Sequence, residues 1–230
     1  MLTPLVNVTL PSIYNKANLP SRMARAAPDF AKALAALSEE MPKLLWSDLF
    51  RSYEMQKAAN DDYVSGRKSA YSPPPGGSMH EAGRAMDIDL GTIGMTLDKF
   101  WVVCKDHGLN PIISAPNKSA KEAWHFDCRG SHGLVYEYVQ SGKVNETYSP
   151  YGQMARSGIL SIGQHVDGVP DLDVALIQSA LIRLGGDPGP IDGLVGTRTK
   201  KALTALGVTL TNADEKLTEQ LAEKFPDEYS

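Results

Sequence analysis

The run Ser78-Met79-His80-Glu81-Ala82-Gly83-Arg84-Ala85-Met86-Asp87-Ile88-Asp89-Leu90 passes from a loop into an alternating segment. Gly83 marks a turn or a close approach of the backbone. Beyond it, the two-residue period of a strand puts Ala85, Asp87 and Asp89 on one face and Met86, Ile88 and Leu90 on the other. A second run, Trp124-His125-Phe126-Asp127-Cys128-Arg129, alternates in the same way. His125 and Asp127 share one face there; Trp124, Phe126 and Cys128 share the other.

Together the two runs carry two imidazoles and a carboxylate able to ligate, with a further carboxylate, Glu122, three residues before His125. Two histidines and an acid beside a spare acid match a three-ligand catalytic zinc site with a general base. The expected ligands of one Zn2+ are His80, Asp87 and His125, and the expected base is Glu122. Its pKa has to be held in a useful range by apolar walls, of which Trp124 is the candidate, or by a proton shared with water. Asp127 and Asp89 are expected to support the ligands from behind. Upstream, Arg51 ends a strand and starts a helix, where a guanidinium can bind a substrate carboxylate or a developing oxyanion. Gln56 and Ser78 are the further residues expected to touch substrate. His107, His132 and His165 are expected not to be ligands, with His132 in a polar loop.

Around this centre the spacing predicts a helix over 23–40 capped by Ser21, ended by Pro42. A strand over 43–51 delivers Arg51, and a short helix follows over 52–60. Tyr71-Ser72-Pro73-Pro74-Pro75-Gly76-Gly77 is a stiff loop leading into the metal motif, a position that commonly shapes a cleft. A helix from Thr96 or Asp98 to Asp106, with Gly108 behind it, precedes a strand or turn beginning at 110–113. A last short helix occupies 133–140. Residues 1–20, broken by Pro4, Pro11 and Pro20, suit a short strand or a packed arm.

The charge balance, 23 basic against 27 acidic residues, gives −4 and no general attraction to nucleic acid or an anionic membrane. No stretch approaches membrane-spanning length. Cys104 and Cys128 form no CxxC pair, so two reduced thiols are expected, with a disulfide open only if their elements pack side by side. The start of the chain has no basic segment followed by an apolar run. Synthesis in the cytoplasm, with any work outside it reached by another exit route or by lysis, is the expectation.

After residue 140 the texture changes. The stretch 141–169 is rich in Gly, Ser, Asn and Pro and is expected to be a linker with some local structure, onto which Tyr148, Tyr151 and Ile159 can dock. Beyond it lie three short amphipathic helices. Asp171 or Asp173 caps the first, Thr197 the second and Asn212 the third, with the elbow Gly185 to Gly196 between the first two. The expected division is 1–145 for a metal-bearing domain, 146–168 for the linker and 169–230 for a three-helix module.

Ser78-x-His80-x-x-Gly83-x-Ala85-x-Asp87, followed by Glu122-x-Trp124-His125-Phe126, resembles the zinc peptidases of the D-alanyl-D-alanine carboxypeptidase type. Their relatives include phage endolysins that cut the L-alanyl-D-glutamate bond. Phe50-Arg51-Ser52-Tyr53-Glu54-x-Gln56 is similar to the arginine motif of that family. The resemblance covers roughly 25–140. It implies an α+β domain with a small antiparallel sheet at the active site, zinc on His80, Asp87 and His125, Glu122 as acid/base, and Arg51 on substrate or oxyanion. Leu176-Ile177-Gln178-x-x-Leu181-x-x-Leu184-Gly185, with Pro190-Ile191-Asp192-Gly193-x-x-Gly196-x-x-Thr199, resembles a three-helix peptidoglycan-binding domain. The resemblances imply a monomeric enzyme of bacterial peptidoglycan, without nucleic-acid partner or membrane insertion, released through host lysis machinery if phage-encoded. An L-alanyl-D-glutamate endopeptidase is the first expectation and a D-alanyl-D-alanine carboxypeptidase the second. A zinc-containing wall-binding protein without hydrolysis is the alternative of a different class, and a retained Glu122 argues against it.

Overall fold

The computed structural model describes residues 1–9 and 23–229; the expected cap Ser21 and the breaks at Pro11 and Pro20 lie outside them. Two small antiparallel sheets flanked by helices make an α+β N-terminal region, and an all-helical region follows. Strand β1 (Val6–Asn7) pairs with β2 (Arg25–Ala26). Helix α1 (Pro28–Glu40) starts later than the spacing predicts, because the backbone of Arg25 and Ala26 is committed to β1 and Pro28 sits at the first helical turn. The second sheet holds β3 (Trp46–Asp48), β4 (Ala85–Ile88), β6 (His125–Cys128) and β5 (Leu109–Pro111), adjacent in that order and antiparallel throughout. Helix α2 (Tyr53–Val64) is capped by Ser52, which accepts a hydrogen bond from Met55 N, and runs past the expected end at residue 60. Helix α3 (Leu97–Asp106) begins after Thr96 as expected.

The alternation seen in the sequence sorts the sheet. Met86, Ile88 and Phe126 face a core with Trp46, Leu34 and Phe100, all buried. Phe100 meets Phe126 edge to face, with ring centroids 5.3 Å apart. The opposite face carries Asp87, His125 and Asp127.

After β6 come α4 (Gly133–Gln140), α5 (Pro150–Ser161), α6 (Leu172–Arg183), α7 (Thr197–Ala205) and α8 (Ala213–Lys224). Helix α5 corrects the expectation of a linker. Ser149 accepts from Gly152 N at its N-cap and Pro150 opens it, while Met154, Ala155, Ile159 and Leu160 are buried. Gly158 lets this helix touch the metal-motif turn, since a Cβ there would stand 2.7 Å from the Ala82 Cβ. The expected boundaries at 145 and 169 do not coincide with a gap in the core. One buried cluster runs from Met79 and Ala82 through Val135, Met154 and Leu181 to Leu217 and Leu221. Asp171 caps α6 by accepting from Val174 N. Gly196, not Thr197, holds the N-cap of α7. Asn212 stands at the start of α8, but its side chain accepts from Thr209 N and so stabilises the preceding turn instead. Among the described residues no helix is long and apolar enough to cross a membrane.

Buried polar groups fasten the two regions. The Glu228 carboxylate receives Ser131 N, the Ser131 hydroxyl and Arg183 Nη2, the last at 2.6 Å. Arg84 stands 3.8 Å from the same carboxylate and 2.8 Å from Asp29. Burial alone would raise the Glu228 pKa, but Arg84 and Arg183 outweigh it and hold the group below its ordinary value. His132 is not in an open polar loop: it is fully buried, with Nδ1 2.6 Å from the Ser157 hydroxyl, which in turn pairs with Ser179. Burial, then Arg183 and Arg84, keep its imidazole well below the ordinary histidine pKa. Replacing Glu228 by Ala leaves the buried Arg183 guanidinium without a carboxylate, while Arg84 keeps Asp29. The expected loss, read by denaturant unfolding, is about 3–5 kcal/mol; a loss under about 1 kcal/mol would contradict the clamp.

Candidate metal centre

Three elements converge on one point. Asp87 and His125 are direct partners in the β4–β6 register, so the pairing itself sets carboxylate against imidazole. His80 arrives from the turn before β4. Gly83 closes that turn at φ 63°, and a Cβ there would run into the Leu5 side chain at 2.3 Å. Asp87 Oδ1 lies 2.9 Å from His125 Nδ1 and 3.3 Å from His80 Nε2. His80, Asp87 and His125 each offer a ligand atom within 4.8 Å of the others.

The residues fit a zinc ion. In both imidazoles the nitrogen turned away from Asp87 is engaged: His80 Nδ1 with the Leu49 carbonyl at 2.6 Å, His125 Nε2 with Asp127 Oδ1 at 2.9 Å. That fixes each ring and leaves its other nitrogen to ligate. His80 Nε2 is buried with no hydrogen-bond partner, its 3.3 Å approach to Asp87 lacking hydrogen-bond geometry. A buried lone pair without a donor is what a cation would satisfy. Two nitrogens and a carboxylate oxygen are a donor set suited to zinc. Burial would raise the Asp87 pKa, but His80 and His125 outweigh it and hold the carboxyl well below its ordinary value. Burial would lower the His125 pKa, but Asp127 and Asp87 take it up to about 10, so a cation competes there with a proton.

The triad lies in a cleft of about 750 Å³ whose walls include Arg51, Glu122 and Trp124. Glu122 is the single non-glycine residue among those described with positive φ, at 65°. Holding a glutamate in the left-handed region costs on the order of 1–3 kcal/mol. Its Oε1 is buried without a partner. Burial, then the Asp87 charge, raise its pKa. Arg51 lines the same cleft with its guanidinium bound to Asp48, its Nη1 donating to Gln56 Oε1 at 3.1 Å and its Nη2 3.8 Å from Asp87 Oδ2.

Other expected site residues are placed differently. Gln56 is fully buried and spent: its amide donates to the Ser72 hydroxyl and the Pro73 carbonyl, so it holds Arg51 and the proline loop in place of substrate. Ser78 lines the cleft, but its hydroxyl accepts from His80 N and braces the ligand turn. Asp89 stands beyond the end of β4 and accepts from Gly91 N at 2.8 Å, away from the cleft. Asp127 does back His125 and itself accepts from the Tyr151 hydroxyl at 3.0 Å. His107 pairs with Glu40 and His165 with Asp167, both outside the triad. Cys104 and Cys128 are free and buried, and burial pushes both thiols up.

Three contributors escaped the sequence reading. Asp48 precedes Arg51 by three residues, an acid–base spacing that can be seen in Ser47-Asp48-Leu49-Phe50-Arg51. Tyr151 follows Ser149-Pro150, a helix-start signature in its own right. Glu81, buried beside His80, accepts Gly76 N with both oxygens; burial takes its carboxyl to about 7 against the pull of those backbone donors and Arg51.

No protein-family model matches this chain, and no curated protein matches it. The cluster of His80, Asp87 and His125 can hold a metal ion and is consistent with the site of a metal-dependent enzyme. Substituting Asp127 by Asn removes the acceptor behind His125. The expected result is a loss of zinc affinity of about ten- to a hundredfold in a chelator competition; unchanged affinity would show that Asp127 does not orient the ligand.

Proposed function

We propose that this chain is a zinc-dependent peptidoglycan hydrolase that cuts the stem peptide, acting as an endolysin-type L-alanyl-D-glutamate endopeptidase. The observation that carries the reading is the unpartnered Glu122 carboxylate in one cleft with the three-ligand cluster. The motif resemblance to zinc peptidases gives that chemistry its substrate class.

When bound on His80, Asp87 and His125, zinc supplies Lewis acidity toward a carbonyl and lowers the pKa of water. Glu122 Oε1 takes the proton of the attacking water and returns it to the leaving amine nitrogen. Its raised pKa brings the two proton affinities closer together. Arg51 has five N–H donors and uses three on Asp48 and Gln56, which leaves two for a substrate carboxylate or the oxygen gaining charge. Asp48 and Gln56 hold the guanidinium still, so little ordering is needed at the moment of reaction. The proline loop forms a wall through Tyr71, Pro73 and Pro74.

The all-helical region is proposed to hold the enzyme on its insoluble substrate, raising the local concentration of stem peptide. Its Asp192-Gly193 elbow is knitted by Gln178, which accepts from both backbone nitrogens and donates to Asp192 Oδ1. Access to the wall through lysis machinery belongs to the same proposal.

Glu122→Ala is expected to keep zinc and wall binding while turnover falls by about 10²–10⁴-fold. Mass spectrometry of digested wall should show a new L-alanine carboxyl terminus on the muramyl side. Release of free D-alanine would indicate the carboxypeptidase instead, and undiminished turnover by the Ala variant would sink the assigned mechanism.

A further inference from the structure

Arg156, on α5, is a half-buried cation with no carboxylate in ion-pair contact. Its Nη1 donates to the Ile191 carbonyl at 2.9 Å, and its Nε is buried with no partner. Among the described residues no carboxylate lies within 4.0 Å of this guanidinium. The three buried arginines are paired, Arg51 with Asp48, Arg84 with Asp29 and Arg183 with Glu228, and the half-buried Arg129, whose Nε also lacks a partner, lies over the Tyr136 ring. Burial depresses the Arg156 pKa against the smaller opposing pull of Tyr148 and Asp192, the mark of a charge removed from water without full compensation.

The position of Arg156 gives that missing anion a place. The residue lines a cavity of about 320 Å³ formed between the proline loop and the start of α5. Pro74, Gly77, Ser149 and Gly152 line both this cavity and the cleft of the triad, so the two are adjacent. Tyr148 lines the smaller cavity and not the triad cleft. The N-terminus of α5 adds a favourable dipole for negative charge at the same spot.

We propose that this cavity is a substrate subsite, and that Arg156 binds there a carboxylate of the peptide whose neighbouring amide lies at the metal centre. The subsite rests on the peptidase reading of the cleft. It adds a specificity-determining residue from the helix that joins the two regions. A substrate with a free carboxylate one or more residues from the cut amide binds in preference to its carboxamide, because only the acid completes the guanidinium.

The test uses the full chain loaded with zinc and two probes: the stem tetrapeptide L-Ala-γ-D-Glu-L-Lys-D-Ala and the same peptide with both free carboxyls amidated. Calorimetric titration of the Glu122→Ala chain reads binding without turnover. The acid peptide is expected to bind tighter, and Arg156→Gln should narrow that preference about tenfold, the order of one charge-assisted hydrogen bond. Arg156→Lys should keep part of it. In the chain with native Arg156, the Nε–H resonance should shift with the acid peptide and not with the amide, a readout that needs no variant to fold. A preference untouched by Arg156→Gln, or an Nε–H resonance indifferent to the acid peptide, overturns the subsite. Binding with the expected preference but no cleavage by the wild-type chain would instead overturn the peptidase reading and leave the subsite standing.

Discussion

The antiparallel pairing of β4 with β6 sets Asp87 opposite His125, and the site depends on that register. A slip of one residue would turn both side chains into the core and bring Met86 and Phe126 out. The buried face prevents the slip: Met86, Ile88 and Phe126 are packed against Trp46 and Phe100. The hydrophobic effect therefore acts on one face of the sheet to position charge on the other. His80 is brought in separately, by a turn that only glycine at position 83 permits, and is aimed by the Leu49 carbonyl at the end of β3.

Layers of fixed hydrogen bonds surround the ligands. Tyr151 holds Asp127, Asp127 holds His125, Gln56 and Asp48 hold Arg51, and Ser78 braces the backbone of His80. Within this shell His80 Nε2 and Glu122 Oε1 remain without partners, as do Asp48 Oδ1 and Asp127 Oδ2. Buried acceptors left open around a cleft are the pattern expected where a cation and a transferable proton are to be accommodated. Helix α5 ties the shell to the rest of the chain, with Tyr151 at the cleft and Arg156 and Gln153 bonded to the backbone of Ile191 in the elbow of the helical region.

The ligand faces were legible in the sequence because strand periodicity is local: alternation over a few residues suffices to put His125 and Asp127 together. Arg51 was legible as a cleft residue, but its companion Asp48 was not, although it stands only three positions away. Asp89 misled because alternation carries no mark of where a strand stops; β4 ends at Ile88 and the carboxylate turns to Gly91 N. Gln56 misled because burial is a tertiary property, and the proline loop that covers it is remote in sequence. The same cause hid His132, which is buried by α5 and α6 and not by its own neighbours. Helix α5 itself was obscured by the glycine, serine and proline around it, although Ser149-Pro150 is a start signal. Its stability comes from packing between α4 and α6 more than from its own propensities. For that reason the apparent linker is part of a continuous core.

The central claim is that His80, Asp87 and His125 form a metal centre. X-ray absorption at the zinc edge, on the full chain loaded with one equivalent of zinc, tests it most directly. The account predicts a first shell of two imidazole nitrogens and carboxylate or water oxygens at about 2.0–2.2 Å, with the imidazole scattering reduced by half in His80→Ala. A shell containing sulfur, or a spectrum unchanged in that variant, would contradict it.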